Sequence, residues 1–277
     1  MSGLVPRLGD AGRSLATAAS CGGRGAWKTA RRGARGVALG TRGLPDGRRG
    51  SASLLAVGFV RLLLQVPGDA ALLAFVRIVS ALQTLAGVEP PGRPLDDDEH
   101  ALLHAVFGDG IDARSVRIKL GRLGLLGLPR RAFVVGDHVH VPGSPGGSLA
   151  LRAPALLVHE LMHVWQHQHH GTRYLSECLF AQWFGEGYNV AIAVEAGREW
   201  NELNFEQQAE LLERAFAAGW FDPGRDGGAR LLTQLLDPRS DDGFGVALAR
   251  PGNAERMLAD GWRDATPLLA AGLAAVR

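Results

Sequence analysis

The sequence predicts an α+β protein, mostly helical, with one small β-sheet. Three observations carry that prediction. Apolar residues run through segments of helical length at 70–85, 155–165 and 173–183. Residues 116–120 and 132–141 alternate with the period of a strand. Two helix starts, at Asp96 and Asn204, are written as capping boxes. With 277 residues, 46% of them hydrophobic and 21% charged, the chain can bury a full core in one or two domains.

Residues 1–50 stand apart as an arm. They hold nine Arg and Lys28 against Asp10 and Asp46, a net +8 that leaves −6 for the remainder of a chain whose total is +2. Twelve glycines and no apolar periodicity make this a disordered Arg/Gly-rich arm. Such an arm is more often a solvated tail than a nucleic-acid binder, so nucleic acid is not the expected partner. Residues 1–20 lack the apolar block of roughly 7–15 residues that a secretory signal needs. The chain therefore reads as cytoplasmic as synthesised, with a non-Sec route for any export. Cys21 and Cys178 are the only cysteines, which excludes a disulfide framework and a Cys-rich metal knuckle.

Residues 51–94 read as an apolar helical hairpin and a linker. Leu54 to Val60 and Leu62-Leu63-Leu64 come first, Pro67-Gly68-Asp69 makes the turn, and 70–85 forms the second arm. Arg61 and Arg77 interrupt the blocks, so neither reaches the roughly 18–20 unbroken apolar residues of a bilayer span. Core or membrane-surface helices are the expectation, with the membrane surface reached through 51–88. Pro90-Pro91-Gly92-Arg93-Pro94 closes the segment.

The third region, 95–277, holds the main domain. Asp96 and Glu99 form a capping box for a helix that runs to Phe107 and stops at Gly108. The strand at 116–120 precedes a hairpin over 132–141 that turns at Gly136-Asp137, with His138 and His140 expected on its polar face. An edge of such a sheet can pair with an extended substrate. A second apolar helix spans 173–183, with Cys178 in its core face, and leads to the Gly-rich turn 184–188. Asn204 and Gln207 box the start of the next helix. Residues 229–236, 246–249 and 253–260 read as short helices, and 265–276 as an apolar tail.

The chemistry is concentrated in His159-Glu160-Leu161-Met162-His163, an H-E-x-x-H inside an apolar helical run. Residues i and i+4 lie only about 40° apart around a helix, so both imidazoles can address one Zn²⁺. Glu160 is then the general base for a water whose pKa the metal lowers. Chance accounts poorly for the motif, because Leu157, Val158, Leu161, Met162, Val164 and Trp165 would bury this helix on most faces. An unliganded His-Glu-His group there would lack partners.

An open zinc site needs a third protein ligand. His169 has the spacing of a Gly-broken helix, but Gln166 lets the helix continue and turns His169 roughly 240° away. Glu186 sits on the Gly-flanked turn, where a ligand is held loosely. Glu206 lies in the first turn of a capped helix and is followed by Ala209 and Glu210, and it is the favoured ligand. His167, His169 and His170 then form a polar helix end.

From Leu95 to about Phe221 the chain resembles the metallopeptidase-like core domain of extracellular contractile injection system loci and vgr-related proteins. The likeness rests on Val106-Phe107-Gly108, Ile111-Asp112, Val116-Arg117-Ile118 and 131–139. The segments 157–166 and 204–209 complete it. The resemblance implies a zincin-like fold with the small sheet beside the H-E-x-x-H helix. It also implies zinc on His159 and His163, Glu160 as base, and Glu206 as third ligand, in a gluzincin-like arrangement. The chain departs from that pattern in having Glu210 where Asp is commoner, and in its Arg-rich front.

Two functions follow. One is a zinc metalloendopeptidase acting on a peptide or protein substrate. The other is a zinc-stabilised accessory or cargo module that binds secretion-system or effector proteins and turns over nothing. Tyr174 and Tyr188 are the candidates for stabilising an oxyanion, although each is more commonly a core or rim aromatic.

Overall fold

The computed structural model describes residues 59–128, 130–195 and 202–217, with Phe221 and short pieces between residues 7 and 34. The short helices expected at 229–236, 246–249 and 253–260 and the tail 265–276 lie outside the described residues, as does the first arm of the expected hairpin up to residue 58.

In chain order the elements are α1 (Val66–Leu85), α2 (Asp97–Phe107), β1 (Arg117–Gly121), β2 (Phe133–Val135), β3 (His138–Pro142), α3 (Leu149–Arg152), α4 (Pro154–His170), α5 (Arg173–Phe184), α6 (Val190–Glu195) and α7 (Phe205–Ala217). The protein is α+β and mostly helical, as the patterning predicts. It divides into two compact units. The first takes residues up to Pro94, Val116–Gly146 and Gln166–Ser176; the second takes Leu95–Ser115, Gly147–Trp165 and the chain from Glu177 onward. The division therefore does not fall at the Pro-rich linker alone: strands expected in the main domain cluster with α1 instead.

The first unit is built on a mixed three-stranded sheet in the order β1-β3-β2. The hairpin forms where the alternation places it, with Phe133 opposite His140 and Val135 opposite His138. Gly136 takes φ +67° at the turn, a conformation that side chains resist. β1 pairs in parallel with β3, so β3 is central. That position buries His138 and His140, which the sequence assigns to a polar face. His140 stacks on Phe133 at 4.6 Å between ring centroids.

α1 differs from its expected form. Pro67-Gly68-Asp69 does not turn the chain. A π-helical stretch, Arg61–Gln65, runs directly into α1, and Pro67 falls in its first turn, where a missing N–H costs little. The inner face of α1 is polar. Ser80 Oγ donates to Glu89 Oε1 at 2.7 Å, and the fully buried Lys119 Nζ donates to Ser80 Oγ, Thr84 Oγ1 and Glu89 Oε1 at 2.8–2.9 Å. Burial raises the Glu89 carboxyl, but contact with His140 and the Lys119 charge outweigh it and hold it below its ordinary value. Within the arm expected to be disordered, residues 7–12 are helical, and Asp10 is buried with its Oδ2 3.5 Å from Lys119 Nζ.

In the second unit α2 starts with the capping box read from sequence: Asp96 Oδ1 accepts from Glu99 N at 2.9 Å and Glu99 Oε2 accepts from Asp96 N at 3.0 Å. Glu99 Oε1 also accepts from Leu149 N, which ties α3 to α2. The core takes Val106 and Phe107 from α2, Val158, Leu161 and Met162 from α4, and Ala209 and Leu211 from α7, all nearly inaccessible to solvent.

Candidate metal centre

His159 and His163 stand one turn apart on α4, their ring centroids 5.0 Å apart and their planes at 77°. Both Nε2 atoms face the same oxygen, Glu206 Oε2, at 3.8 and 3.5 Å. The three donor atoms lie within 4.8 Å of one another, and all three residues are buried. Ligands at about 2.0–2.1 Å from a tetrahedral zinc are separated by about 3.4 Å, so these spacings suit that ion with little adjustment.

Each of these three side chains is held from behind. Asn204 Oδ1 accepts from Gln207 N at 2.8 Å and Gln207 Oε1 accepts from Asn204 N at 3.1 Å, so the predicted box starts α7 and places Glu206 in its first turn. Gln182 of α5 donates to Glu206 Oε1 at 2.9 Å, leaving Oε2 toward the histidines. His159 Nδ1 lies 2.9 Å from Glu213 Oε2. A carboxylate there calls for the proton on Nδ1 and leaves the Nε2 lone pair for a metal. His163 Nδ1 lies 3.8 Å from Cys178 Sγ, whose thiol burial keeps well above its ordinary pKa.

The charges agree with the geometry. Burial lowers the His159 pKa, but Glu206 and Glu213 more than offset this and raise it to about 10. Burial raises the Glu206 carboxyl, yet the His163 charge and the hydrogen bonds from His159, His163 and Gln182 hold it well below the carboxylate range. Such a shared proton is what a divalent cation displaces. Glu160 is raised by burial against the opposing pull of His159 and His163. Its Oε2 is buried and accepts no hydrogen bond among the described residues, so a lone pair is kept for some other partner. Two imidazoles, one carboxylate and an orphaned second carboxylate beside them fit zinc and a water.

Over 134 residues, 45% of this chain, the sequence is 31% identical to the type VI secretion system spike protein VgrG2b of Pseudomonas aeruginosa, and the matched stretch is 13% of that protein. No family model and no solved structure matches the chain. The relative agrees with the vgr-related part of the resemblance. Its name carries nothing about peptide cleavage or zinc.

The structure gathers His159, Glu160, His163 and Glu206, and adds Tyr188, whose ring lies 5.9 Å from that of His159. The other tyrosine is elsewhere. Tyr174 belongs to the first unit, where its hydroxyl accepts from Gly136 N at 2.7 Å and donates to Val134 O at 3.1 Å, so it fixes the hairpin turn. Glu186 accepts from Gln207 Nε2 at 3.0 Å and serves the α7 cap rather than the metal group. His169 is exposed near the end of an unbroken α4, whereas His167, expected at a polar helix end, is buried with its ring 5.4 Å from that of Tyr174. Sequence reasoning missed Gln182 and Glu213. Glu213 follows Glu206 by seven residues, two helical turns, and that spacing puts both on one face of α7.

Proposed function

We propose that this chain is a zinc-dependent hydrolase of the metallopeptidase type that cleaves peptide bonds. The observation that carries the reading is the convergence of His159 Nε2, His163 Nε2 and Glu206 Oε2 on one point beside the unpartnered buried Oε2 of Glu160. His159, His163 and Glu206 would hold the metal. When bound, Zn²⁺ supplies Lewis acidity toward a carbonyl oxygen and acidity to a water. Glu160 takes a proton from the attacking water at Oε2 and passes it to the leaving amine nitrogen. Glu213 keeps the His159 ring in one tautomer and orientation, and Gln182 does the same for the Glu206 carboxylate. Of the two tyrosines, we assign to Tyr188, whose ring lies 5.9 Å from that of His159, the role of meeting charge that builds on the carbonyl oxygen.

Similarity to a spike protein favours a secretion-system setting and supports a second reading, a zinc-stabilised accessory or cargo module of a type VI-like or contractile injection system. Its partners would then be secretion-system or effector proteins, and it would need the ligands but not Glu160. Glu160→Gln separates the two readings, because it keeps size and hydrogen-bonding reach while removing the basic lone pair. The peptidase should keep about one zinc per chain and its melting temperature, and lose roughly 10²–10⁴ in cleavage of a mixed peptide library. Cleavage unchanged by the substitution would belong to a contaminant. Absence of cleavage by both proteins, with zinc retained, favours the module.

A further inference from the structure

α1 is an amphipathic helix turned inside out. Five of its seven buried residues are polar or charged: Asp69, Arg77, Ser80, Gln83 and Thr84. Four of these, Asp69, Ser80, Gln83 and Thr84, have hydrogen-bond partners within the first unit. Asp69 accepts from Ser176 N, Gln83 donates to Glu89, and Ser80 and Thr84 receive the Lys119 ammonium. The outer face is the reverse. From Leu63 to Leu85 every residue classed as exposed is Leu, Phe, Ile, Ala, Pro or Gly. Leu63, Leu64, Phe75 and Leu82 are each more than 60% exposed, and Ile78 is 49% exposed. The inward hydrogen bonds fix this orientation, because rotating the helix would strand a buried lysine and glutamate.

We propose that this face is a docking surface for an anionic lipid bilayer, on which α1 lies in the plane of the interface. Three observations favour lipid over a protein partner. The exposed face offers no charge, donor or acceptor side chain along 23 residues, about 35 Å of helix. Protein interfaces carry a polar rim and roughly one hydrogen bond per 100–200 Å², for which this face has no side chains, whereas hydrocarbon asks for none. Residues 1–50 bring a net +8 to the same chain just ahead of this helix. Apolar area combined with a polybasic segment is the two-part signal that holds a protein on anionic headgroups.

The helix lies on the membrane rather than across it, although its length and composition would allow a crossing. Lys119 of β1 joins the inner face of α1 to a three-stranded sheet whose β2 edge pairs with no further strand among the described residues, and unpaired strand edges do not enter hydrocarbon. The inference is independent of the metal centre, which belongs to the other unit.

The test is density flotation of the full chain with phosphatidylcholine vesicles and with vesicles containing phosphatidylglycerol. The wild type should float with the anionic vesicles, and more weakly in high salt. Phe75→Glu with Leu82→Glu should lower the bound fraction at least about tenfold, since each removes a large apolar group from the contact. Leu151→Glu, at a still more exposed leucine of the second unit, should leave it unchanged. Should the pair lower the melting temperature, Leu82→Glu alone repeats the test with a several-fold drop. The proposal is overturned if the folded wild type does not float, or if flotation survives the substitutions. A dimer in light scattering that the same substitutions dissolve would also overturn it, and would assign the face to a second copy.

Discussion

Both units bury histidines next to carboxylates, but they balance the charge differently. In the first, Glu89 meets His140 at 3.6 Å and Lys119 at 2.9 Å, and the lysine supplies a permanent cation. In the second, Glu206 meets two histidines and a glutamine, so the only cation it can face is a proton carried on an imidazole, which a metal ion can replace. A neutral imidazole donates a lone pair, so the second cluster is complete only when a proton or a metal ion sits among its donors. The first is closed by its own residues and is structural. This contrast distinguishes a buried ion network from a ligand set more sharply than burial does, because both are almost wholly inaccessible.

The largest effect should come from breaking the closed cluster. Lys119→Met fills similar space but leaves Glu89 buried without its cation, and should cost about 3–5 kcal/mol of stability in urea titration. Zinc content of the folded fraction should stay the same. A loss below about 1 kcal/mol would mean that His140, Ser80 and Gln83 suffice to hold Glu89.

Much of this arrangement is legible in the sequence, and the rest fails for identifiable reasons. The two capping boxes, the Gly136-Asp137 hairpin and the H-E-x-x-H helix depend on residues within a few positions of each other, so local spacing determines them. Glu206 is legible for the same reason, since Asn204 and Gln207 place it in a first turn. The orientation of α1 is not. Its apolar and polar stripes are both evident, but periodicity does not say which faces inward. Contacts with Lys119, 35 and 39 positions from Thr84 and Ser80, and with Ser176, 107 positions from Asp69, make the polar stripe the buried one. His138 and His140 alternate as residues of a half-exposed strand would, and the parallel pairing with β1 that buries them is a long-range contact. Pro67-Gly68-Asp69 has turn chemistry, yet proline is equally at home in the first turn of a helix. Glu213 was within reach, because seven residues on a helix return to the same face.

Acid should separate the clusters next. Burial, with Arg77 adding to it, pushes His138 well below its ordinary pKa, and burial likewise lowers His140. Each histidine binds a proton near pH 6.5 when unfolded but resists it when folded, so the unfolded state takes up more protons as pH falls. Stability is therefore lost below about pH 6.5, by up to about 3 kcal/mol per pH unit for the two together. Glu89, lowered in the folded state, adds a loss of the same sign below its unfolded value of 4.5. Urea titrations at pH 6.5 and 5.5 read the slope. His138→Gln with His140→Gln should flatten it, and an unchanged slope in that variant would place the titration elsewhere.

The smallest effect tests the open cluster at its support. Glu213 touches His159 at Nδ1, on the side away from Glu206, and acts only by holding the ring and its proton. Glu210, four residues into α7 from Glu206, also comes within reach of His159, but its Oε1 pairs with Arg214 at 2.7 Å. Glu213→Gln keeps a hydrogen-bond acceptor at the position while removing the charge that makes the imidazole a better donor. Competition with a chromophoric chelator should show zinc affinity falling by about 10–100-fold, equivalent to about 1.4–2.7 kcal/mol. Glu210→Gln should shift it far less. If the two substitutions weaken zinc equally, the effect is general electrostatics of an acidic helix face. If neither changes affinity, the hydrogen bond to His159 does not tune the ligand, and the site is set by His159, His163 and Glu206 alone.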